Sequence, residues 1–282
     1  CRVLGGPDGL VSAPAPATPL AGKPTGLRLI PTLELEGCRQ MAIDAWLLEH
    51  SLEVEAPATP VLRFYRWSRP TLSLGHHQQL IEPHWQRLAA QGQLELVRRP
   101  SGGRAVLHAG ELTYALIWPA APSRRRQAYR LACEWLRQGF AAIGLPLEFG
   151  SEPASQQLAG CFERGTAADL IHPGGAKRIG SAQLWRRGHL LQHGSILINP
   201  PAELWRQVFG AAPPELPPLQ LTSQELESVL RRSAEQHLPF AAAVPWQSRA
   251  LDAQEWEAIS ARLERYRLVP DSPAEPASWP AC

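Results

Sequence analysis

The sequence predicts an α+β fold, a mixed and largely antiparallel sheet flanked by helices. Two observations carry the prediction. Short β-rich runs bounded by Gly, Pro and Ser fill the middle of the chain, and helical periodicity takes over after Pro200. A third narrows it: no internal repeat is present, so a solenoid or propeller is set aside.

Taken in order, residues 1–26 are rich in Pro, Gly, Ala and Thr without periodic hydrophobicity, and read as a disordered leader. The first helix is expected over 38–50, where Met41, Ala45 and Leu48 share a face with Ala42 and Trp46 beside them. Val61–Trp67 and Thr71–Leu74 read as strands separated by Ser68-Arg69-Pro70, and Leu94–Arg98 and Leu112–Trp118 are β-rich as well. Residues 124–143 form the longest helical stretch. Ala168–His172, a Pro173-Gly174-Gly175 turn, a strand from about Lys177 and another over Leu190–Asn199 follow. Helices are expected at 202–209, 223–237 and 252–265. The domain is therefore read as 27–269, with 200–269 its helical C-terminal part and 270–282 a flexible tail.

Composition excludes several classes. A formal charge of +2 and only short basic runs, such as Arg124-Arg125-Arg126, argue against a nucleic-acid partner. No stretch approaches the roughly 20 apolar residues of a membrane span. The five cysteines (Cys1, Cys38, Cys133, Cys161, Cys282) are odd in number, widely spaced and without a CxxC pair, so neither a disulfide framework nor a zinc site is indicated, and a cytoplasmic enzyme is expected. His76-His77 lacks a Glu or Cys at ligand spacing. The only methionine is Met41, so the chain as it stands reads as a fragment or a processed form.

Lysine usage singles out one position. Against 26 arginines there are two lysines, Lys23 in the leader and Lys177 in Gly174-Gly175-Ala176-Lys177-Arg178-Ile179-Gly180-Ser181-Ala182-Gln183. Arg supplies charge under any working condition, whereas Lys supplies a compact ammonium that can lose its proton when desolvated. Codon chance explains one surviving Lys equally well. Three further segments carry polar chemistry. In Arg98-Arg99-Pro100-Ser101-Gly102-Gly103-Arg104, the paired glycines let backbone approach a ligand, though a plain hairpin explains the same turn. Cys161 lies in an irregular stretch ahead of Lys177: a thiolate beside an ammonium suits thioester chemistry, and a buried small hydrophobe is the bland reading. Gln192-His193-Gly194-Ser195 interrupts an apolar strand, so these polar groups face a pocket or internal partners; His108 carries the same ambiguity.

Together these segments resemble the lipoate-protein ligase and octanoyltransferase superfamily, whose catalytic fold is shared with biotin protein ligase. Five segments match in order over roughly residues 38–200: Met41–Asp44 with Leu47-Leu48, Leu62–Trp67 through Gly75, Arg98–His108 continuing to Tyr114, Lys177–Gln183, and Leu191–Leu197. Gly-Gly-Arg-Ala-Val-Leu-His at Gly102–His108, with Cys161 shortly before the lysine strand, is similar to the cysteine-dependent octanoyltransferase branch; ATP-dependent ligases tend to carry a third glycine at the position of Arg104.

The resemblance implies octanoyl transfer from octanoyl-acyl carrier protein to a lysine of a lipoyl domain or glycine-cleavage H protein. Cys161 and Lys177 would be catalytic, and Arg99, Ser101, Gly102, Gly103, Arg104, His108, Gly180, Ser181, Gln183, His193 and Gly194 would bind the acyl group. No metal and no cofactor would be needed. An ATP-dependent lipoate ligase using ATP and Mg, an amidotransferase between lipoylated proteins, and a non-enzymatic lipoyl-domain binder are the alternatives. The chain departs from the family pattern at Ala45, Ala109 and Trp185, which bears on donor specificity. Acidic carrier domains would be steered by Arg124–Arg126 and Arg186-Arg187.

Overall fold

The structure is a computed structural model, and it describes residues 26–53, 58–150, 169–240 and 244–268. The expected leader, apart from Gly26, and the tail from Pro270 lie outside the described residues.

The strands are β1 (Leu27–Leu35), β2 (Val61–Trp67), β3 (Thr71–Leu74), β4 (Glu95–Arg98), β5 (Val106–His108), β6 (Glu111–Trp118), β7 (Glu148–Phe149), β8 (Asp169–Ile171), β9 (Lys177–Arg186), β10 (His189–Leu197) and β11 (Trp246–Ser248). Eight of them form one sheet in the order β11-β1-β2-β6-β10-β9-β8-β7, and β4-β3-β5 form a second. Pairing from β2 to β7 is antiparallel throughout, while β1 runs parallel to both β2 and β11. The mixed, largely antiparallel expectation holds. Val61–Trp67 and Thr71–Leu74, consecutive in sequence, part company into different sheets: Ser68 donates its N–H to Leu35 and Glu95 to Pro70, so each strand finds other partners.

Helices α1 (Gly37–Glu53), α2 (Pro83–Ala90), α3 (Arg125–Ala142), α4 (Ala202–Phe209), α5 (Ser223–His237) and α6 (Ala253–Ser260) flank the sheets. Apolar side chains nearly surround α1, which is buried over most of its length. Its first turn has no acidic residue of its own. Instead Glu95 on β4 accepts from the N–H groups of Gly37 (2.7 Å) and Cys38 (3.2 Å), which satisfies donors that every helix start leaves open. Helix α3 packs on the opposite face of the large sheet, where Leu62, Tyr114, Ile179 and Ile196 join Trp135 and Leu136 in one core.

The C-terminal helices are part of this body. Ser233 on α5 donates to the Trp135 carbonyl at 2.6 Å, and α6 supplies Glu255 to Arg28 on β1 at 2.6 and 2.7 Å. The stretch expected to be helical over 252–265 is α6 followed by a separate 3-10 turn at Leu263–Arg265. Strand β1 and helix α2 were not anticipated, the first because it abuts the Pro-rich leader, the second because it is two turns long behind Pro83.

Candidate active site

Register across the large sheet decides what can meet. Antiparallel partners share a face, so Tyr65, Thr113, Ser195, Gly180 and Asp169 form one row across β2, β6, β10, β9 and β8. Arg63, Ala115, His193 and Ala182 form the parallel row beside it. Helix α1 and the small sheet cover this face. Between them lies a pocket of about 460 Å³ including its open mouth, lined by Met41, Tyr65, Val106, Gly102-Gly103 and the backbone of Gly180–Ala182 and Gly194.

Gly180 leaves a gap in the first row, and the gap is pocket floor. Its cross-strand neighbour is Asp169, whose carboxylate accepts from Lys177 Nζ at 2.8 Å with both side chains buried. The ammonium expected from sequence is thus held one row position beyond the floor; Lys177 itself does not line the cavity.

The Gly-rich turn forms another wall. Arg99 donates through Nη2 to the carbonyls of Gly102 (2.9 Å) and Arg104 (2.6 Å), and through Nη1 to the carbonyl of Ser73 (2.8 Å), so the turn winds around its own guanidinium. Gly103 has φ +98°, and a Cβ on the facing Gly75 would stand 1.9 Å from Gly103 O; neither place tolerates a side chain. His108 and His193 both line the pocket. His108 Nδ1 lies 2.6 Å from Glu111, with Trp67 stacked on the ring at 3.9 Å. His193 Nδ1 lies 2.8 Å from Asp44, and its Nε2 is 2.5 Å from Ser101 Oγ.

The structure therefore gathers Arg99, Gly102, Gly103, His108, Gly180, Ser181, His193 and Gly194 around one cavity, with Ser101 fully buried behind His193. Arg104 contributes its carbonyl to Arg99. Gln183 stands apart: its side-chain amide bonds Gln192 on the α3 face of the sheet at 2.7 Å. Cys161 lies outside the described residues. On either side of the residues not described, Gly150 donates its N–H to Asp169 O at 3.0 Å.

Two other cysteines are described, and both are buried. Burial pushes the Cys133 thiol up to about 12, only partly opposed by hydrogen bonds to Tyr129, Gln192 and Tyr114. Burial and the Glu95 carboxylate push Cys38 up as well. The two arginine runs do come together, because Ala121 ahead of α3 donates to Gly188 in the β9–β10 turn. They lie nine residues along β9 from Lys177, roughly 30 Å.

Sequence reasoning missed Asp44, Glu111 and Asp169. Asp44 did carry a signal, as the one charge within the apolar run Met41–Leu48.

Comparison with known proteins fits this architecture. The sequence profile described as "Lipoyl protein ligase A/B catalytic domain" matches residues 37–232. The chain belongs to that family. Among its relatives, an octanoyltransferase LipM from Geobacillus kaustophilus is 37% identical over 181 residues, which cover 60% of this chain and 64% of that protein. The octanoyltransferase LipM of Kyrpidia tusciae is 35% identical over 223 residues, covering 74% of this chain and 76% of the relative. A solved structure of a putative lipoate protein ligase from T. acidophilum superposes with a TM-score of 0.71 at 18% identity, over 86% of this chain and 95% of that one. The lipoyl ligase A/B fold is thus shared well beyond recognisable sequence identity. Among the described residues, no helix is long and apolar enough to cross a membrane.

Proposed function

We propose that this lipoyl ligase A/B family member is a cytoplasmic protein N-octanoyltransferase that moves an octanoyl group from acyl carrier protein to a lysine of a lipoyl domain or glycine-cleavage H protein. The observation that carries the reading is the pocket: a partly apolar cavity floored by Gly180, walled by the Gly102-Gly103 turn, with a buried Lys177–Asp169 pair one row beyond the floor. The octanoyltransferase relatives support the acyl group and the acceptor class.

In the first step the Cys161 thiolate attacks the donor thioester carbonyl; a new thioester forms on the enzyme and the carrier thiol leaves with a proton. In the second step the acceptor lysine amine attacks this thioester, an amide forms, and Cys161 departs as thiolate while the amine loses its proton. Thioester exchange is nearly isoenergetic and amide formation is downhill, so neither ATP nor a metal is needed. Lys177, oriented by Asp169, stabilises the thiolate and the oxyanion of each tetrahedral intermediate. Met41, Tyr65 and Val106 receive the acyl chain, at about 0.8 kcal/mol for each methylene buried. Gly102, Gly103 and Gly180 let it lie against bare backbone.

The test is an intact-mass measurement after incubation with octanoyl-carrier protein and no acceptor. A single octanoyl adduct that disappears in Cys161→Ala is expected. Absence of the adduct, with acyl transfer that needs free acid and ATP and survives Cys161→Ala, would establish the ATP-dependent ligase reaction instead. Transfer from a lipoylated protein but not from carrier protein would make the enzyme an amidotransferase.

A further inference from the structure

Two hydrogen-bonded chains of the same composition, acid–histidine–serine, converge on the Gly-rich turn. In the first, Glu111 Oε1 accepts from His108 Nδ1 (2.6 Å) and Thr113 Oγ1 (2.6 Å), and its other oxygen accepts from Ser195. Glu111 accepts, so His108 donates from Nδ1. Its Nε2 lies 2.7 Å from Ser73 Oγ, which accepts from Arg99 Nη1 (3.2 Å). Arg99 is the guanidinium around which the turn winds. In the second chain, Asp44 accepts from Tyr65 OH (2.9 Å), Arg63 Nη1 (3.2 Å) and His193 Nδ1 (2.8 Å). The other ring nitrogen, His193 Nε2, lies 2.5 Å from Ser101 Oγ.

The two carboxylates are buried, and neither lines the pocket, whereas both histidines do. Each acid thus meets the cavity through the side chains it bonds, Glu111 through His108, Thr113 and Ser195, and Asp44 through His193 and Tyr65. Hydrogen bonds in such a series polarise one another, and a low-dielectric surrounding raises what is lost when one member is reversed.

We infer that Asp44 and Glu111 are positioning residues that clamp the Ser101–Arg104 turn from two sides and thereby set the acyl-chain length the pocket accepts. The inference rests on the transfer reading above for the identity of the ligand. Gly102 and Gly103 form the wall that the clamp holds, so loosening it changes how many methylenes are enclosed. Each methylene gained or lost corresponds to about a fourfold change in relative kcat/KM.

The test compares six-, eight- and ten-carbon acyl-carrier donors across Asp44→Asn, Glu111→Gln, Ser73→Ala and Ser101→Ala. An amide in place of either carboxylate offers one acceptor oxygen and confronts a donor with its NH2, so its chain must break or reverse. The expected result is a loss of at least threefold in the preference for eight over ten carbons, carried by KM more than by kcat. Pairs within one chain (Glu111→Gln with Ser73→Ala, Asp44→Asn with Ser101→Ala) should be no worse than the worse single change. Asp44→Asn with Glu111→Gln should multiply.

An unchanged chain-length preference alongside a lowered Tm would overturn the inference and leave these residues merely structural, as would multiplication within a chain. If the two acid variants fail to fold, the two serine variants carry the same test. A wild-type enzyme that transfers no acyl group of any length would refute the transfer reading alone. The clamp would then be judged by calorimetric titration of octanoic and decanoic acid, whose affinity ratio must shift by the same threefold or the inference falls.

Discussion

Replacing Gly194 by alanine tests the register on which the site is built. A Cβ at this position would point to the α3 face, 2.6 Å from Ser181 Oγ, 2.6 Å from Tyr114 Cε1 and 3.0 Å from Gly180 O. Ordinary contact begins near 3.5 Å, so two neighbours must each retreat by about 1 Å. They are poorly placed to do so. Tyr114 is fully buried, its hydroxyl is bonded to Ser181 (2.9 Å) and Gln192 (3.0 Å), and its ring stands edge-on to Trp135 at 5.3 Å. Overfilling a packed site of this kind costs about 1–3 kcal/mol. For a domain of this size, a loss of about 2 kcal/mol lowers Tm by roughly 4–8 °C. Calorimetric melting of Gly194→Ala measures it, with Gly174→Ala as control, because a Cβ at 174 meets nothing within 4 Å. Adding Ser181→Ala to Gly194→Ala removes one of the two clashes and should recover part of the loss. A Gly194→Ala protein that melts with the wild type, or a Gly174→Ala protein that loses as much, would refute the pairing of Gly194 with Tyr114 and Ser181.

Cys133→Ala should leave the octanoyl adduct intact, since a thiol pushed up to about 12 is not ionised at working pH; loss of the adduct in the intact-mass assay would contradict the assignment to Cys161. Asp169→Asn strips a buried ammonium of an ionic partner and should cost about 3–5 kcal/mol in urea unfolding, whereas Asp169→Leu combined with Lys177→Met should fold within about 1 kcal/mol of wild type yet transfer nothing. His172 should make stability fall as pH drops from about 6.5 to 4. Burial, then the charge of Arg178, whose Nε donates to His172 Nε2 at 3.0 Å, lowers its value to about 4, so the unfolded chain binds a proton that the folded one refuses until about pH 4. The loss is up to roughly 3 kcal/mol and levels off below that pH; His172→Gln should flatten this part of the curve of urea midpoint against pH.

Local chemistry was legible along the chain. The strands at Val61–Trp67 and Thr71–Leu74 and the helices at 202–209 and 223–237 fall where alternation, turn residues and helical period put them. Period and turn chemistry are properties of neighbours in sequence, so one chain suffices to read them. The paired glycines and the polar break at Gln192–Ser195 likewise stand out in sequence, and Gly102, Gly103, His193, Gly194 and Ser195 line the pocket. Pairing between distant strands has no such local mark. Only the assembled sheet places Asp169 beside Gly180, sends consecutive strands β2 and β3 into different sheets, and turns Gln183 to the α3 face while Gly180 opens the floor. The same holds for the acids. Asp44 and His193 are 149 residues apart, and what makes them partners is that burial leaves a carboxylate and an imidazole nothing cheaper to bond than each other.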